Sequence, residues 1–228
     1  MADDNKTLKY ARYAIGEIVL VVIGILIALQ INNWNQNRIT ENKTQRFLLS
    51  LKIDLSNDLD AINDVIKEQN HRFIAINELI ELSKNPEIKS IIENDTLKFK
   101  KAGRNFTFFP VVGAYRAASN SGLIDNVNTE ELKINILNLY EHLYIRLNYN
   151  GEINDNRYEL VDWESRHYID YTKTELSFDK YALLDKDFIY QLGYLNRFIN
   201  IYIRRALNTK NAIETIIIQL DKSIQTND

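Results

Sequence analysis

The chain has no cysteine, two prolines, seven glycines and three histidines in 228 residues. Absence of cysteine excludes disulfides, thiolate zinc sites, iron–sulfur clusters and cysteine nucleophiles together. Scarce proline and glycine argue against turn-rich sandwiches and barrels and favour long helices. The histidines, His71, His142 and His167, have no His or Cys partner at metal-ligand spacing. Glu164 and His167, like Glu68 and His71, have Glu-x-x-His spacing, which is only part of the ligand set that a di-iron bundle site needs. There is also no phosphate-binding glycine loop, no G-x-S-x-G and no kinase signature. The sequence therefore gives no ground for an enzyme, a cofactor or a metal. Its scattered acidic residues read as solvated helix faces.

What is present is apolar and helical. Hydrophobic residues make up 45% and charged residues 26%, enough to bury a core and too apolar for a disordered chain. A net charge of −3 gives no basis for a nucleic-acid partner recruited by overall charge. The basic, aromatic stretch 96–109 reads as a loop with its phenylalanines anchored in the core.

The most informative segment is residues 13–34. Ile18–Leu29 carries no polar side chain, with Glu17 before it and Gln30 after it. Ala14–Ile31 would span about 27 Å as a helix, near the lower limit for a bilayer core. Tyr13 and Trp34 can anchor at headgroup level, and Lys6, Lys9 and Arg12 can snorkel. Three readings compete. A cleaved signal peptide is opposed by residues 30–35, which hold no small-residue cleavage site. A buried core helix is opposed by the length of the run. An uncleaved signal anchor fits both and is the reading adopted. It gives a leader over 1–12, a transmembrane helix over 13–34 and an extramembrane domain over 35–228. Lys6, Lys9 and Arg12 on one side balance Arg38, Lys43 and Arg46 on the other, so the positive-inside count is tied. The short basic leader favours an amino terminus in the cytoplasm. In a bacterium, the bulk of the chain would then lie in the periplasm, anchored to the inner membrane.

Helical steps of three and four place Tyr13, Glu17, Val21, Gly24, Ala28 and Ile31 on one face. Gly24 and Ala28 form a small-xxx-small pair that admits a second backbone. Two readings of Glu17 stand side by side. It is either a buried acid in a helix–helix interface, within a homo-oligomer or with another membrane protein, or an acid shallow enough to stay hydrated.

The run from Tyr13 through Gly16-Glu17 to Gln30-Ile-Asn-Asn-Trp34-Asn35 resembles the opening of an uncharacterised family of single-span membrane proteins found in Bacteroidota. Phe109-Pro110, Ala114-Tyr115, Ser121-Gly122 and Asn128–Leu132 are similar to that family's central segment. The resemblance implies membrane attachment and a helical fold, and supplies no catalytic residue.

Residues 35–83 read as one helix of roughly 73 Å. Its heptad seam runs through Leu48, Lys52, Leu55, Leu59, Ile62, Ile66, Gln69, Phe73, Ile76 and Ile80. A short helix is expected about 87–93, and another over 111–121 that ends at Gly122. Asn128 and Glu131 suggest a capping box opening a helix to about 148, and Asn150-Gly151 suggests a turn before a further helix to about 174. Asp185 is a plausible cap for a last helix over 186–225, whose apolar seam only Thr209 breaks.

The expected fold is all-α. One transmembrane helix leads into an elongated antiparallel bundle, with a stalk from 35–83 and 186–225 and a distal head from 86–185. Three functions compete. These are a membrane-anchored interaction or scaffold protein, an extracytoplasmic ligand sensor with a tyrosine-rich head, and an accessory subunit of an ion-coupled complex. The long helices and missing chemistry favour the first.

Overall fold

A computed structural model describes the backbone of residues 4–85, 96–165, 169–170, 172, 174, 177–178 and 180–225. It describes the side chains of residues 15–85, 98–157, 172, 174 and 181–224. The expected helix about 87–93 lies outside the described residues, as do the side chains of Tyr158, Trp163, Glu164, His167, Tyr168 and Tyr171.

Among the described residues, the regular structure is helical apart from one two-residue ladder. Helix α1 is continuous from Asp4 to Ser83, about 120 Å at 1.5 Å per residue. Nothing in that stretch is proline, so no amide is lost from the ladder. Helix α2 is Thr96–Ala102. Helix α3, Gly113–Ser121, ends at Gly122, whose φ of 71° is the left-handed conformation expected there. A 3₁₀ turn follows at Leu123–Asn126. Helix α4 (Glu130–Asn138), a π turn (Leu139–Leu143) and helix α5 (Tyr144–Ser165) then run on without a break. Strands β1 (Ile169–Asp170) and β2 (Ser177–Phe178) pair antiparallel. A second 3₁₀ turn, Lys180–Leu184, leads into helix α6, Lys186–Gln225. Asp185 caps α6 as expected, its Oδ1 accepting the amides of Asp187 and Phe188 at 2.8 and 3.3 Å.

Three local expectations need correction. No turn forms at Asn150-Gly151. Gly151 is buried inside the helix, where an added Cβ would stand 3.5 Å from Thr107 Cγ2 and 3.7 Å from Tyr202 Cε2. Asn150 donates back along the helix to the Arg146 carbonyl at 2.7 Å. A Cβ would sit here at ordinary contact distance, so neither a turn nor a lack of space for alanine requires this glycine. The capping box does not form either. Thr129 occupies the cap without a side-chain bond, and Glu131 accepts from Gln219 Nε2 of α6 at 2.9 Å. Finally, the helix expected to reach about 174 stops at Ser165, and Ile169–Asp170 takes its backbone partners from the β2 strand.

Half of the expected seam on α1 is fully enclosed, at Leu48, Leu55, Ile62, Gln69 and Ile76. Lys52, Leu59, Ile66, Phe73 and Ile80 are only half-buried, and the buried positions between lie one residue earlier, at Leu51, Asp58, Val65, Arg72 and Leu79. Lys52 pairs with Asp221, and Asn196 donates to Asn77 at 2.6 Å. Residue numbers therefore fall along α6 as they rise along α1. Two apolar clusters divide the body. The first joins Leu48, Leu51 and Leu55 of α1 to Leu132, Ile136 and Leu139 and to Ile213, Ile216 and Leu220 of α6. The second joins Ala75, Ile76 and Leu79 to Phe99 and Ala102 of α2, to Ala182 and Leu183, and to Phe188, Leu192 and Leu195 of α6. Residues 108–147 thus lie against the part of α1 that begins at Phe47.

Candidate functional site

The amino-terminal part of α1 is bare. Every large apolar residue from Ile15 to Ile31 is exposed, between 46 and 70%. The same helix first becomes buried at Thr44. An apolar run open to water on all faces is unfavourable, at about 25 cal/mol per Å². A hydrocarbon surrounding removes that penalty, and the helix satisfies its own backbone as such a surrounding demands. This segment is long and apolar enough to cross a membrane.

Glu17, Gly24 and Ala28 fall within this run and are all exposed. No heavy atom lies within 4 Å of where a Cβ on Gly16 or Gly24 would stand. Among the described residues, Glu17 has no hydrogen bond or ion pair, so nothing in the body of this chain serves as its partner. Trp34 is exposed at the end of the run, with the Arg38 guanidinium 5.3 Å from its ring centre. Arg38 also donates to Asn35 Oδ1 at 3.3 Å. The side chain of Tyr13 lies outside the described residues.

How the body is tied to α1 depends on residues that periodicity does not flag. Asp58 is buried; it accepts the Val111 amide at 2.8 Å and the Tyr144 hydroxyl at 2.6 Å. One turn earlier, Asp54 accepts the Ala114 amide in the first turn of α3 at 3.1 Å, where a carboxylate also meets the positive end of the helix dipole. Burial raises the Asp58 carboxyl above its ordinary value, opposed by these two hydrogen bonds. Burial first, and the Asp58 charge second, raise the phenols of Tyr144 and Tyr140. Burial also pushes the Tyr202 phenol up to about 12; its oxygen accepts the Phe108 amide at 2.8 Å. Tyr115 is pushed up to about 12 by burial and by Glu141, to which it donates at 2.6 Å. The four phenols are all moved further from neutral pH, the wrong direction for proton transfer.

A second polar band separates the two apolar clusters. Arg72 is buried and donates through Nε to the Ala102 carbonyl at 3.0 Å and through Nη1 to Asn105. Gln69 donates to Asn105 Oδ1 at 3.1 Å and to the Phe106 carbonyl, and Asn105 donates to Asp155. These bonds hold the non-helical strap 103–112 where it crosses α1, and one of them satisfies the Phe106 carbonyl. Phe99 and Phe108 are buried beside it, as the sequence suggests, whereas Phe109 is exposed. Among the described residues, no group of three or more His, Cys, Asp or Glu is placed to hold a metal.

The model of DUF6090, a family of unknown function, matches residues 17–202. The match takes in Ile18–Leu29 of the apolar run together with the body as far as Tyr202 of α6. No curated protein and no solved structure matches the chain.

Proposed function

The chain belongs to the DUF6090 family of unknown function, and we propose that it is a membrane-anchored helical interaction or scaffold protein. The observation that carries this reading is the contrast within α1. From Ile15 to Ile31 nothing covers it, and from Thr44 onward it is built into a packed body. One unbroken helix therefore joins an anchor to a platform, and a force or position at one end is passed to the other without a hinge.

In this reading residues 1–12 are a leader, 13–34 cross the bilayer and 35–228 stand outside it. The long helices α1 and α6 form an elongated antiparallel bundle. The membrane is a bacterial inner membrane, crossed once, with the bulk of the chain in the periplasm. Assembly runs through the Glu17, Gly24 and Ala28 face, with a second copy or another membrane protein. The open space around Gly24, and the lack of a partner for Glu17 among the described residues, support that part. The protein is not an enzyme in this account, because its sequence carries no catalytic motif.

The anchor is tested by fractionation. The intact chain should stay with membranes through alkaline extraction, and Ile23→Lys should release much of it. A cation near the bilayer centre costs about 2.5–3.5 kcal/mol on insertion scales. Wild-type chain recovered in the soluble fraction would contradict the anchor.

A further inference from the structure

Helices α5 and α6 leave a cleft of about 330 Å³ between them, lined by Leu143, Arg146, Ile201, Arg204, Arg205, Asn208 and Thr209. Three of these seven side chains are guanidiniums and none is an acid. Elsewhere on the surface several lysines pair with carboxylates, as Lys52 does with Asp221 and Lys133 with Asp125. Among the described residues, Arg146, Arg204 and Arg205 have no such pair. The Nε of Arg205 is buried and has no hydrogen-bond partner. Burial first, then the charges of Arg146 and Arg204, weaken the hold of Arg205 on its proton. Like charges gathered without a counterion are unfavourable to the fold. Thr209 supplies a further clue. It alone breaks the apolar seam of α6, is nearly fully buried, and lines this cleft.

We propose that the cleft between α5 and α6 binds a phosphate-type oxyanion through Arg146, Arg204 and Arg205, with Asn208 and Thr209 as neutral donors. Guanidinium forks match phosphate oxygens two at a time, and an anion at this point relieves the repulsion among the three cations. The cleft is larger than one oxyanion needs. It falls in the size range of small-molecule sites, so the anion is one part of its ligand.

Its height along the molecule selects the source. The Asn77–Asn196 and Lys52–Asp221 contacts fix the register of α1 and α6 and set Arg205 level with Glu68. Between Ile31 and Glu68 lies roughly 55 Å of helix. Headgroups of the bilayer that would hold the anchor are too far away, which favours a soluble phosphorylated molecule. The site itself does not rest on the membrane reading.

The test uses the full chain in maltoside micelles, titrated calorimetrically with sodium phosphate and with sodium chloride at matched ionic strength. A soluble short-chain phosphatidylglycerol is titrated in parallel. The expected result is saturable phosphate binding that chloride does not reproduce, weakened about tenfold or more by Arg146→Gln and by Arg205→Gln. In phosphate-free buffer both variants should melt no lower than wild type, since each removes a repulsion. Phosphatidylglycerol that binds where free phosphate does not, with the same loss in the variants, overturns the soluble source. Phosphate binding that is absent, equalled by chloride or unchanged in both variants overturns the site. Variants that melt lower in phosphate-free buffer with unchanged binding show that the arginines are structural, which also overturns it.

Discussion

The hydroxyl of Tyr144 donates to Oδ2 of Asp58 at 2.6 Å across 86 residues of sequence, and both groups are buried. The other carboxylate oxygen accepts the Val111 amide. One side chain on α1 thus holds both the strap before α3 and the first turn of α5.

Replacing Asp58 should therefore be more damaging than replacing its partner. Asp58→Ala leaves one buried and one part-buried donor unsatisfied and should destabilise by about 2–4 kcal/mol, against about 1 kcal/mol for Tyr144→Phe. Urea midpoints compare them directly. The pH dependence has a definite sign. The Asp58 carboxyl is raised in the fold, so its contribution to stability is greatest below the ordinary 3.8 and is lost as pH rises through the raised folded value. Asp58→Asn does not titrate there. The stability difference between wild type and Asp58→Asn should widen in favour of wild type as pH falls from neutral towards that range.

Gly151 tests the corrected reading of Asn150-Gly151. It lies within α5 at ordinary contact distance from Thr107 and Tyr202. Gly151→Ala should be neutral or stabilise by up to about 1 kcal/mol, through helix propensity. Gly151→Leu should destabilise by about 1–3 kcal/mol, through overpacking against Tyr202. A turn with positive φ would reverse the first result, and thermal melts of the two variants decide it.

The two parts of α1 should respond oppositely to truncation. Leu55→Ala opens a cavity in the first cluster and should cost about 2–5 kcal/mol. Ile23→Ala touches nothing in the body and should leave its unfolding midpoint unchanged. Equal losses would mean that the amino-terminal run packs on the body.

Features set by local rules were legible in the sequence: the apolar run, one of the two rows of the seam of α1, Gly122 after α3, and Asp185 at the start of α6. Each depends on spacing or on one residue's backbone preference. What escaped depends on the meeting of distant segments. Asn150-Gly151 looks like a turn until Thr107 and Tyr202 arrive beside it. Glu131 looks like half a capping box until Gln219 of α6 claims it. The seam of α1 says that something covers it, but not that 108–147 and α6 share the task. That division is set by Asp54 and Asp58, polar residues with no periodic signature. The arginine cleft was hidden for the same reason, since Arg146 and Arg204–Arg205 are far apart in the chain. Thr209 was its one visible trace.

We propose that the bare face of α1 assembles this protein within a membrane. The most direct measurement is native mass of the intact chain, purified from its membrane in mild detergent, beside Glu17→Gln and Gly24→Leu. A defined complex is expected, with copies of itself or with one other membrane protein, weakened or lost in both variants while the body's unfolding midpoint stays unchanged. A monomer in all three samples, or a complex indifferent to both substitutions, would contradict it.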